Sequence, residues 1–511
     1  MDGLSMKFLK LIQDPLISPI TNIVNQTILT SIFPKKLQIA RIIPVYKKGD
    51  KDNIENYRPI SLLPSLSKIF EKVMLDQLNE YFMQNKLYYN AQYGFRKGHS
   101  TEFSVMENID RIVEELENNK MPINILLDLS KAFDTIDHTI LLRKLKYYGL
   151  GTNAYTLCKN YLENRYQYVQ VDDKKSKFLK VNSGVPQGSV IGPFFFLVYI
   201  NDFHSSTELF HFNMFADDDT LLCSISNPDA RNDALSLHEE SINLNLQKVH
   251  NWLKANHLSI NVNKTKFIVF HTPGRIMPKL NLKIDENKIE QLYEVNTLGI
   301  IIDDTLCWKP HIQMIINKIR KTQVVLAKLK YFLPTETLLT IYYSLIMPHL
   351  LYGILLWGTQ GRYITKMQKR TARTIAKTKY NSHTSPIFKT LNILKFEDLL
   401  KIQEWKFYHK LVNKQLPYHF LKYNLPLHRD LHTYSTRGQN RLITPRLKYN
   451  LSMCTIKNRL PKIVNEAPAG ITDKINTHSI NGLAFYLKRT IVDAYEIECK
   501  IENCYVCGQL E

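Results

Sequence analysis

Apolar residues recur along this chain with two different periods, and each period predicts a different kind of element. The helical period is carried by Ile242, Leu246, Val249 and Leu253. Their spacings of four, three and four positions place them on one face of a helix, so we expect an amphipathic helix that turns this face towards a core. Residues 124–128 instead form a short, mainly apolar run that ends in an acid. Such a run is typical of a strand buried on both faces.

Acidic residues stand where two of these strand-like runs end. Asp128 closes the first run, at a point where the edge of a sheet would open to solvent. Tandem aspartates suit a hairpin turn, so residues 212–225 predict two further strands joined by a turn. That turn contains Asp217, Asp218 and Asp219. The three carboxylates repel one another, and a bound cation would relieve the repulsion. Taken alone, the triplet is more typical of a solvated turn.

The hydrophobic pattern changes near residue 304. Before it, short strand-like runs alternate with helical patterns and with turns rich in Gly and Pro, whereas the pattern beyond it is mostly helical and basic. This order predicts an α+β fold with a helical C-terminal part. The longest apolar stretch, residues 341–357, contains Pro348 and His349 and is short for a membrane span. We therefore predict one buried helix there.

Composition narrows the class of protein. Hydrophobic residues make up 44% of the 511 positions and include 28 Tyr and 23 Phe, which is enough apolar surface for large cores and excludes a disordered chain. Lys and Arg number 67 against 47 Asp and Glu. The resulting net charge of +20 favours a polyanionic partner, with nucleic acid ahead of an acidic membrane surface.

Cysteine usage and the N-terminal sequence bear on the compartment. The seven cysteines are odd in number and mostly far apart, so a disulfide framework is not expected and a reducing compartment fits. Residues 1–10 lack the charged, apolar and small-residue sections of a secretory signal peptide. We therefore expect an intracellular protein, in the nucleus, the cytoplasm or both, with no membrane partner.

A basic segment follows in the C-terminal part. Residues 361–380 contain seven basic residues and no acid. At 100° per residue, six of them fall within an arc of about 100° on a helix. These six are Arg362, Lys366, Lys369, Arg370, Arg373 and Lys377. We predict a basic stripe that binds the phosphate backbone of a duplex. A solvated helix face and a helix lying on a membrane surface are the alternatives.

The most specific indication is a set of short motifs in a fixed order. They are YRPIS at 57–61, QYGFR at 92–96, LDLSKAFD at 127–134, GVPQGS at 184–189, FADD at 215–218, NKTK at 263–266 and LG at 298–299. The set resembles the motifs of reverse transcriptases, in the order in which that family carries them. The residues within the motifs are most similar to those of non-LTR (LINE-type) retrotransposons of the jockey group. Each motif alone is weak, whereas the ordered set is specific.

The resemblance implies a fold and a function. The fold would be a right-hand polymerase of the α+β class, with fingers, a palm built on an antiparallel sheet, and a helical thumb before a mostly helical basic C-terminal region. The expected boundaries are an N-terminal extension of the fingers at 1–34, fingers and palm at 35–304, a thumb-like region at 305–420, and a region of unknown role at 421–511. The implied activity is that of an RNA-directed DNA polymerase, which copies RNA into DNA for retrotransposition.

Two other functions stay open. One is a catalytically inactive RNA-binding remnant of a decayed element. The other is an RNA-primed or DNA-templated polymerase of related palm design. The partners implied by the first function are an RNA template, a DNA primer and deoxynucleoside triphosphates. Related elements also carry an endonuclease ahead of the polymerase. Residues 2–5 already look like the leading motif of the polymerase, so we expect the nicking activity to come from elsewhere.

The resemblance also implies roles for acids. Asp128, Asp217 and Asp218 match the residues that bind two catalytic Mg²⁺ ions, with Mn²⁺ as the alternative ion. Asp219 extends the usual pair to three and would either tune the metal site or face solvent. Asp134 is expected to be structural and not a metal ligand.

Nucleotide-binding roles carry over in the same way. Phe133 matches the aromatic gate that excludes a ribose 2′-OH, and its alternative is a simple core Phe. Gly184 and Gly188 would let the backbone approach the nucleotide, and Gln187 would hydrogen-bond to the nucleotide or the template. The expected cationic contacts are Arg58 with Lys47 or Lys48 for the triphosphate and Lys264 as proton donor to pyrophosphate. An ordinary solvated lysine is equally expected at Lys264.

A zinc site at the C-terminus is not expected. Related elements can end in a zinc-knuckle-like segment, and Cys499, Cys504 and Cys507 have the spacing C-x4-C-x2-C, but no His or fourth Cys follows them before Glu511. A more distant residue such as His478 would have to complete the tetrahedron.

Overall fold

The computed structural model of the chain describes residues 6–226, 232–275, 277–430, 438–468 and 470–496. Within these ranges, strands and helices alternate up to residue 303 and helices dominate afterwards, so the predicted α+β class with a helical C-terminal part is confirmed. No helix in these ranges is both long and apolar enough to cross a membrane.

The first part of the chain supplies two helices, a two-stranded hairpin and two further helices. They are α1 Met6–Leu11, α2 Gln13–Thr30, β1 Ile39–Tyr46, β2 Tyr57–Leu62, α3 Ser67–Gln84 and α4 Thr101–Glu117. Ser100 caps α4, because its side chain accepts a hydrogen bond from the backbone N–H of Phe103. This helix packs on the central sheet and on the C-terminal helices.

The middle of the chain carries most of the strands. Its elements are β3 Lys120–Ser130, α5 His138–Tyr147, α6 Thr152–Leu162, β4 Tyr166–Val171, β5 Lys174–Lys175, β6 Leu179–Lys180, α7 Gly192–Ile200, β7 His211–Phe215, β8 Asp218–Ser226, α8 Asn232–Ala255, β9 Ser259–Ile260, β10 Lys266–Val269, β11 Lys283–Ile284, β12 Asn287–Lys288, β13 Glu290–Leu292, β14 Glu294–Thr297 and β15 Ile300–Asp303. The predicted amphipathic helix is α8, and its four apolar residues are buried as expected.

The remainder is helical. Its elements are α9 Lys309–Leu329, α10 Thr335–Leu345, α11 Met347–Leu351, α12 Ile354–Trp357, α13 Arg362–Ile375, α14 Thr384–Thr390, α15 Phe396–Val412, α16 Tyr418–Leu421, α17 Ile456–Asn465, α18 Ile471–Thr477 and α19 Ile480–Asp493. The single buried helix predicted for residues 341–357 is wrong. A new helix begins at Met347 with Pro348 in its first turn, and Gly353, at φ +66°, separates α11 from α12.

Two sheets position the polar residues of interest. The central sheet has the strand order β13-β10-β3-β8-β7, with β9 added to the end of β3. The smaller sheet has the order β2-β1-β4-β5, with β6 on β4. One face of the central sheet packs on α5, α7 and α8, and α4 covers part of the other. The core under α4 continues into the C-terminal helices as far as Tyr495.

Candidate active site

The site begins at the end of the central strand. Strand β3 is buried along most of its length, which fits the apolar run in the sequence, and Asp128 near its end is half-buried. The backbone around Asp128 is held by the neighbouring segment, because its carbonyl accepts from Asn261 N at 2.8 Å. Its N–H donates to Thr265 Oγ1 at 3.4 Å. The carboxylate therefore stands on a fixed strand and is partly open to solvent.

A tight hairpin brings the second pair of acids to the same edge. Strands β7 and β8 pair through Phe215 and Asp218, which leaves Ala216 and Asp217 as the turn. Ala216 adopts φ +60°, a left-handed conformation that costs energy for a residue with a Cβ. On strand β3, Asp128 lies directly opposite Asp218. The register of three strands thus brings together the acids predicted from the sequence.

The QYGFR segment supports this hairpin from outside. Its Gln92 is fully buried, and the Oε1 atom accepts from Gly94 N at 2.8 Å and from Ala216 N at 3.2 Å. Tyr93 N donates to Met214 O at 2.7 Å. A Cβ at Gly94 would lie 2.5 Å from Ala216 N, so only glycine allows this approach. The strained turn is held by these contacts.

The electrostatics of the edge are unfavourable without a ligand. Burial raises the pKa of the Asp217 carboxyl, and the nearby Asp128 carboxylate raises it further. The pKa of Asp218 is also raised, first by burial and then by Asp217 and Asp128. Lys47 acts in the opposite direction on both carboxyls, and Arg58 does so on Asp217. The protein thus gathers negative charge that it only partly neutralises.

Asp219 lies on the opposite face of the sheet. Strand alternation turns it away from Asp218 and into the core beside its cross-strand partners Leu127 and Met214. Its side chain is 1% exposed, and neither carboxylate oxygen has a hydrogen-bond partner. Burial raises its pKa well above the usual value. Solvent exposure, one of the two roles open for this residue, is therefore wrong.

The cations predicted near the acids differ in position. Lys47 and Arg58 lie close enough to act on the Asp217 carboxyl, whereas Lys48 is exposed in the same loop and is not among the charges that act on it. Lys264 Nζ is 3.4 Å from Asp128 Oδ2, with the lysine side chain 62% exposed. In this structure Lys264 is thus an ion-pair partner of a predicted metal ligand. A role in proton donation stays a prediction.

Phe133 lies beside the acids in the loop after β3. Its ring stacks on Phe196 with centroids 4.5 Å apart and meets Phe95 edge-on at 6.3 Å. The side chain is only half-buried, so one part of the ring packs on the core and the other is exposed. This position is compatible with the predicted gate.

The loop at 184–189 packs against both Phe133 and strand β2. Val185 N donates to Phe133 O at 3.0 Å, and Ser61 N donates to Gln187 O at 2.8 Å. Gly188 adopts φ +118°, and a Cβ there would lie 2.9 Å from Ser61 O. The Gln187 side chain donates through Nε2 to the Asp134 carboxylate. Gly188 and these hydrogen bonds hold the loop between the Phe133–Asp134 segment and strand β2.

Comparison with protein families decides what this arrangement belongs to. Residues 45–302 match the model described as reverse transcriptase (RNA-dependent DNA polymerase). The chain belongs to the reverse transcriptase family. The matched segment contains the acids, Phe133 and the 184–189 loop. The resemblance drawn from the motifs is therefore confirmed, and so is the α+β polymerase fold that it implied.

Curated relatives come from transposable elements. The RNA-directed DNA polymerase from the mobile element jockey of Drosophila melanogaster is 28% identical over 424 residues, which cover 80% of this chain and 45% of the relative. The probable RNA-directed DNA polymerase from transposon BS of the same species is 28% identical over 401 residues, covering 74% and 42%. The chain thus spans about half the length of the curated relatives it matches. Among solved structures, a telomerase from Candida albicans aligns over 73% of this chain and 64% of its own at a TM-score of 0.37 and 12% identity.

Divalent metal ions are general in this reverse transcriptase family, and the three acids supply the carboxylate oxygens that such ions prefer. In the ranges that the structure describes, no three Asp, Glu, His or Cys side chains converge as closely as a complete metal site requires. The binding of metal by Asp128, Asp217 and Asp218 accordingly stays a proposal. The predicted zinc ligands Cys499, Cys504 and Cys507 lie outside the described residues.

The basic stripe of the reverse transcriptase only partly follows the prediction. Helix α13 ends at Ile375, and Lys377 lies beyond it at φ +56°, so Lys377 is not part of a helical stripe. Arg373 is half-buried, and its Nε donates to Ser382 O at 2.7 Å. Arg362, Lys366 and Arg370 are exposed, and Lys369 is partly so. The opposite face of α13 packs on α9, where Gln323 donates to Met367 O.

Two supporting residues were missed by the sequence analysis. Thr265 lies inside the NKTK motif, and its hydroxyl accepts from the backbone of Asp128. Glu71 on α3 is fully buried and accepts from Val190 N at 2.6 Å, which anchors the far end of the 184–189 loop. The motif containing Thr265 was a signal that could have found it. For Glu71 the sequence holds no local signal, because the contact joins residues 119 positions apart.

Proposed function

We propose that this reverse transcriptase copies RNA into DNA by two-metal nucleotidyl transfer, for retrotransposition of a non-LTR element. One observation carries the proposal: the strand register sets Asp128 opposite Asp218, and Asp217 lies close enough for the Asp128 carboxylate to raise its pKa. The family membership of residues 45–302 supports the reaction class. The proposed substrates are an RNA template, a DNA primer and deoxynucleoside triphosphates.

The donor set suits a hard divalent cation. Carboxylate oxygens are the ligands that Mg²⁺ prefers, and this ion keeps several waters and takes substrate phosphates as further ligands. Burial and mutual repulsion raise the pKa values of Asp217 and Asp218, and a cation between them would relieve that repulsion. Asp128, Asp217 and Asp218 would hold two Mg²⁺ ions. When bound, the ions would neutralise charge on the attacking and leaving oxygens.

The remaining side chains would bind and orient the nucleotide. Arg58 and Lys47, which already act on the Asp217 carboxyl, are suited to phosphate oxygens. Phe133 would exclude a 2′-hydroxyl with the exposed part of its ring. Lys264 would give a proton to the departing pyrophosphate, after leaving its ion pair with Asp128. The exposed side chains of α13 would bind the phosphates of the product duplex.

Primer extension with purified protein tests the proposal. With an RNA template, a DNA primer, deoxynucleotides and Mg²⁺, the wild-type protein should extend the primer. The variant Asp217→Asn should lower extension by more than about 100-fold. Losing a residue that only hydrogen-bonds to a metal ligand costs at most about that factor, so a larger loss is expected for a ligand itself. Its thermal stability and RNA binding should not fall, because the change removes a carboxyl from a repelling pair.

The matched control is Asp202→Asn. Asp202 carries a carboxylate that pairs with Lys144 at 2.5 Å and makes no contact with the three predicted metal ligands. Extension by this variant should stay within a few-fold of wild type. A wild-type protein that binds RNA but extends nothing under these conditions would refute the catalytic proposal. It would leave the inactive RNA-binding remnant as the function.

A further inference from the structure

Asp134, one residue after Phe133, makes a contact that neither the acids nor the family motifs explain. Both of its carboxylate oxygens, Oδ1 and Oδ2, lie 2.9 Å from Gln187 Nε2. Asp134 is half-buried, and this burial raises the pKa of its carboxyl although Gln187 and Lys131 act to lower it. A carboxylate kept in a partly buried place with one amide partner is costly unless that contact has a use.

The contact links the loop of residues 131–137 to the loop of residues 184–189, and these two linked loops are called the frame below. Along its length, Val185 N donates to Phe133 O at 3.0 Å and Gly184 N donates to Ile136 O at 2.8 Å. The imidazole of His138 contacts Gly184 O at 2.8 Å. These hydrogen bonds run from backbone to backbone or from a ring to backbone. The Asp134–Gln187 contact is the one that joins the two loops through side chains alone.

Backbone packing leaves this frame little freedom to move. Gly184 adopts φ +79°, and a Cβ there would lie 2.7 Å from Asp134 O. On the other side, Gln187 O accepts from Ser61 N, so the loop is held between the Asp134 turn and strand β2. The backbone thus holds the loop at Gly184, Val185 and Gln187, and the Asp134–Gln187 contact adds a side-chain link between the same two segments.

We propose that Asp134 is a positioning residue, whose carboxylate fixes the Gln187 loop against the Phe133 ring and so determines how strictly the site selects the sugar of the incoming nucleotide. This inference rests on the proposed polymerase function. It assigns no contact with substrate to Asp134 itself. With Gln187 Nε2 engaged by Asp134, the nucleotide would be contacted by Gln187 Oε1 or by the backbone of the loop.

A charge exchange tests the pairing. Asp134→Ala removes the acceptor, and Gln187→Glu sets two carboxylates against each other. The double variant Asp134→Asn with Gln187→Glu restores one amide and one carboxylate with their places exchanged. If the contact matters, the two single variants should lose function, and the double variant should recover at least threefold over Gln187→Glu. Such recovery is the mark of a direct interaction.

The readout is sugar selection, measured in two ways. In primer extension, Asp134→Ala should lower the ratio of kcat/KM for a deoxynucleotide over the matching ribonucleotide by about tenfold, the effect expected for one hydrogen bond to a charged group. Most of the change should appear in KM. In equilibrium binding to the protein with template and primer, without turnover, the ratio of the two nucleotide affinities should fall by a similar factor. Asp202→Asn should leave both ratios unchanged.

The outcomes separate the inference from the proposed function. A wild-type protein without extension refutes the polymerase, and the binding ratio still measures the effect of Asp134. If Asp134→Ala keeps its sugar ratio within twofold while its melting temperature is unchanged, the positioning role is overturned. A double variant that recovers less than threefold over Gln187→Glu would also overturn it. A lower melting temperature with an unchanged ratio would make Asp134 a stabilising residue only.

Discussion

The edge of the central sheet and the junction of the C-terminal helices both gather charged side chains, but they treat charge differently. At the edge, burial and the carboxylates of Asp217 and Asp128 raise the pKa of Asp218. At the junction, Arg459 and Glu404 are both 7% exposed, with Arg459 Nε 3.0 Å from Glu404 Oε1. The same guanidinium also donates to the carbonyls of Met453, Cys454 and Leu355. The cations near the edge neutralise its carboxylates only in part, whereas the buried charges at the junction are paired with each other.

This difference separates a binding site from its support. A site for cations and phosphates needs charged side chains that the protein does not fully neutralise, because the bound ligand then supplies the opposite charge. A complete buried set holds its elements in one arrangement. Glu117 on α4 makes a similar junction, because it accepts from the backbone N–H groups of Lys448 and Tyr449. Segments from the C-terminal part are in this way fastened to a helix that also packs on the sheet with the acids.

The largest effect on stability is expected at the buried ion pair. Arg459→Ala would leave Glu404 buried without its partner, and such a loss costs about 3–5 kcal/mol of the free energy of unfolding. Chemical denaturation measures this change. Arg489→Ala is the matched control, because Arg489 and Asp493 are exposed and 3.8 Å apart, a geometry worth less than about 1 kcal/mol. Equal losses of the free energy of unfolding in the two variants would contradict the idea that the charges at the junction are paired and stabilising.

The next effect concerns a histidine in the helical core. Burial lowers the pKa of His311 to about 4, and the nearby Lys318 lowers it further. The unfolded chain, with a value near 6.5, takes up the proton first as the pH falls. The stability contributed by neutral His311 is therefore complete above pH 6.5 and lost towards pH 4, by roughly 3 kcal/mol. His311→Gln should flatten the pH profile of the free energy of unfolding in this window. An unchanged profile would show that another group controls it.

A smaller effect separates Asp219 from the two acids before it. Asp219 is buried among apolar side chains without a hydrogen-bond partner, so Asp219→Leu should raise the free energy of unfolding by about 1 kcal/mol. Primer extension should stay within a few-fold of wild type, because the Asp219 side chain lies on the opposite face of the sheet from Asp218. Loss of extension comparable to that of Asp217→Asn would place Asp219 in the metal site after all.

The smallest effect concerns the exposed stripe of α13. Replacing Lys366 and Arg370 with Ala should lower the slope of template binding against salt by about one unit for each lost phosphate contact. Arg373→Ala should leave that slope unchanged, because its side chain is held by Ser382 O. Binding measured between low and high salt distinguishes the two. A slope that depends on Arg373 but not on Arg370 would reverse the assignment.

Much of the palm could be predicted because its information is local. The apolar run before Asp128, the aspartates in a turn, and the glycines of the 184–189 loop each reflect the immediate needs of a strand, a hairpin and a close approach of backbones. The helical period around Ile242 is equally local, and the structure confirms it. Predictions failed where a regular period was extended past a break, as at Gly353 and at Lys377.

The sequence by itself determined which chemical groups this protein has and in what order, including the acids, the aromatic residue after them and the excess of basic side chains. Only the tertiary structure decided which groups meet. It placed Asp128 opposite Asp218, turned Asp219 into the core, and joined Asp134 to Gln187 across 53 positions. The reason is that strand register and loop packing depend on contacts between distant segments. Patterns within one segment do not contain these contacts.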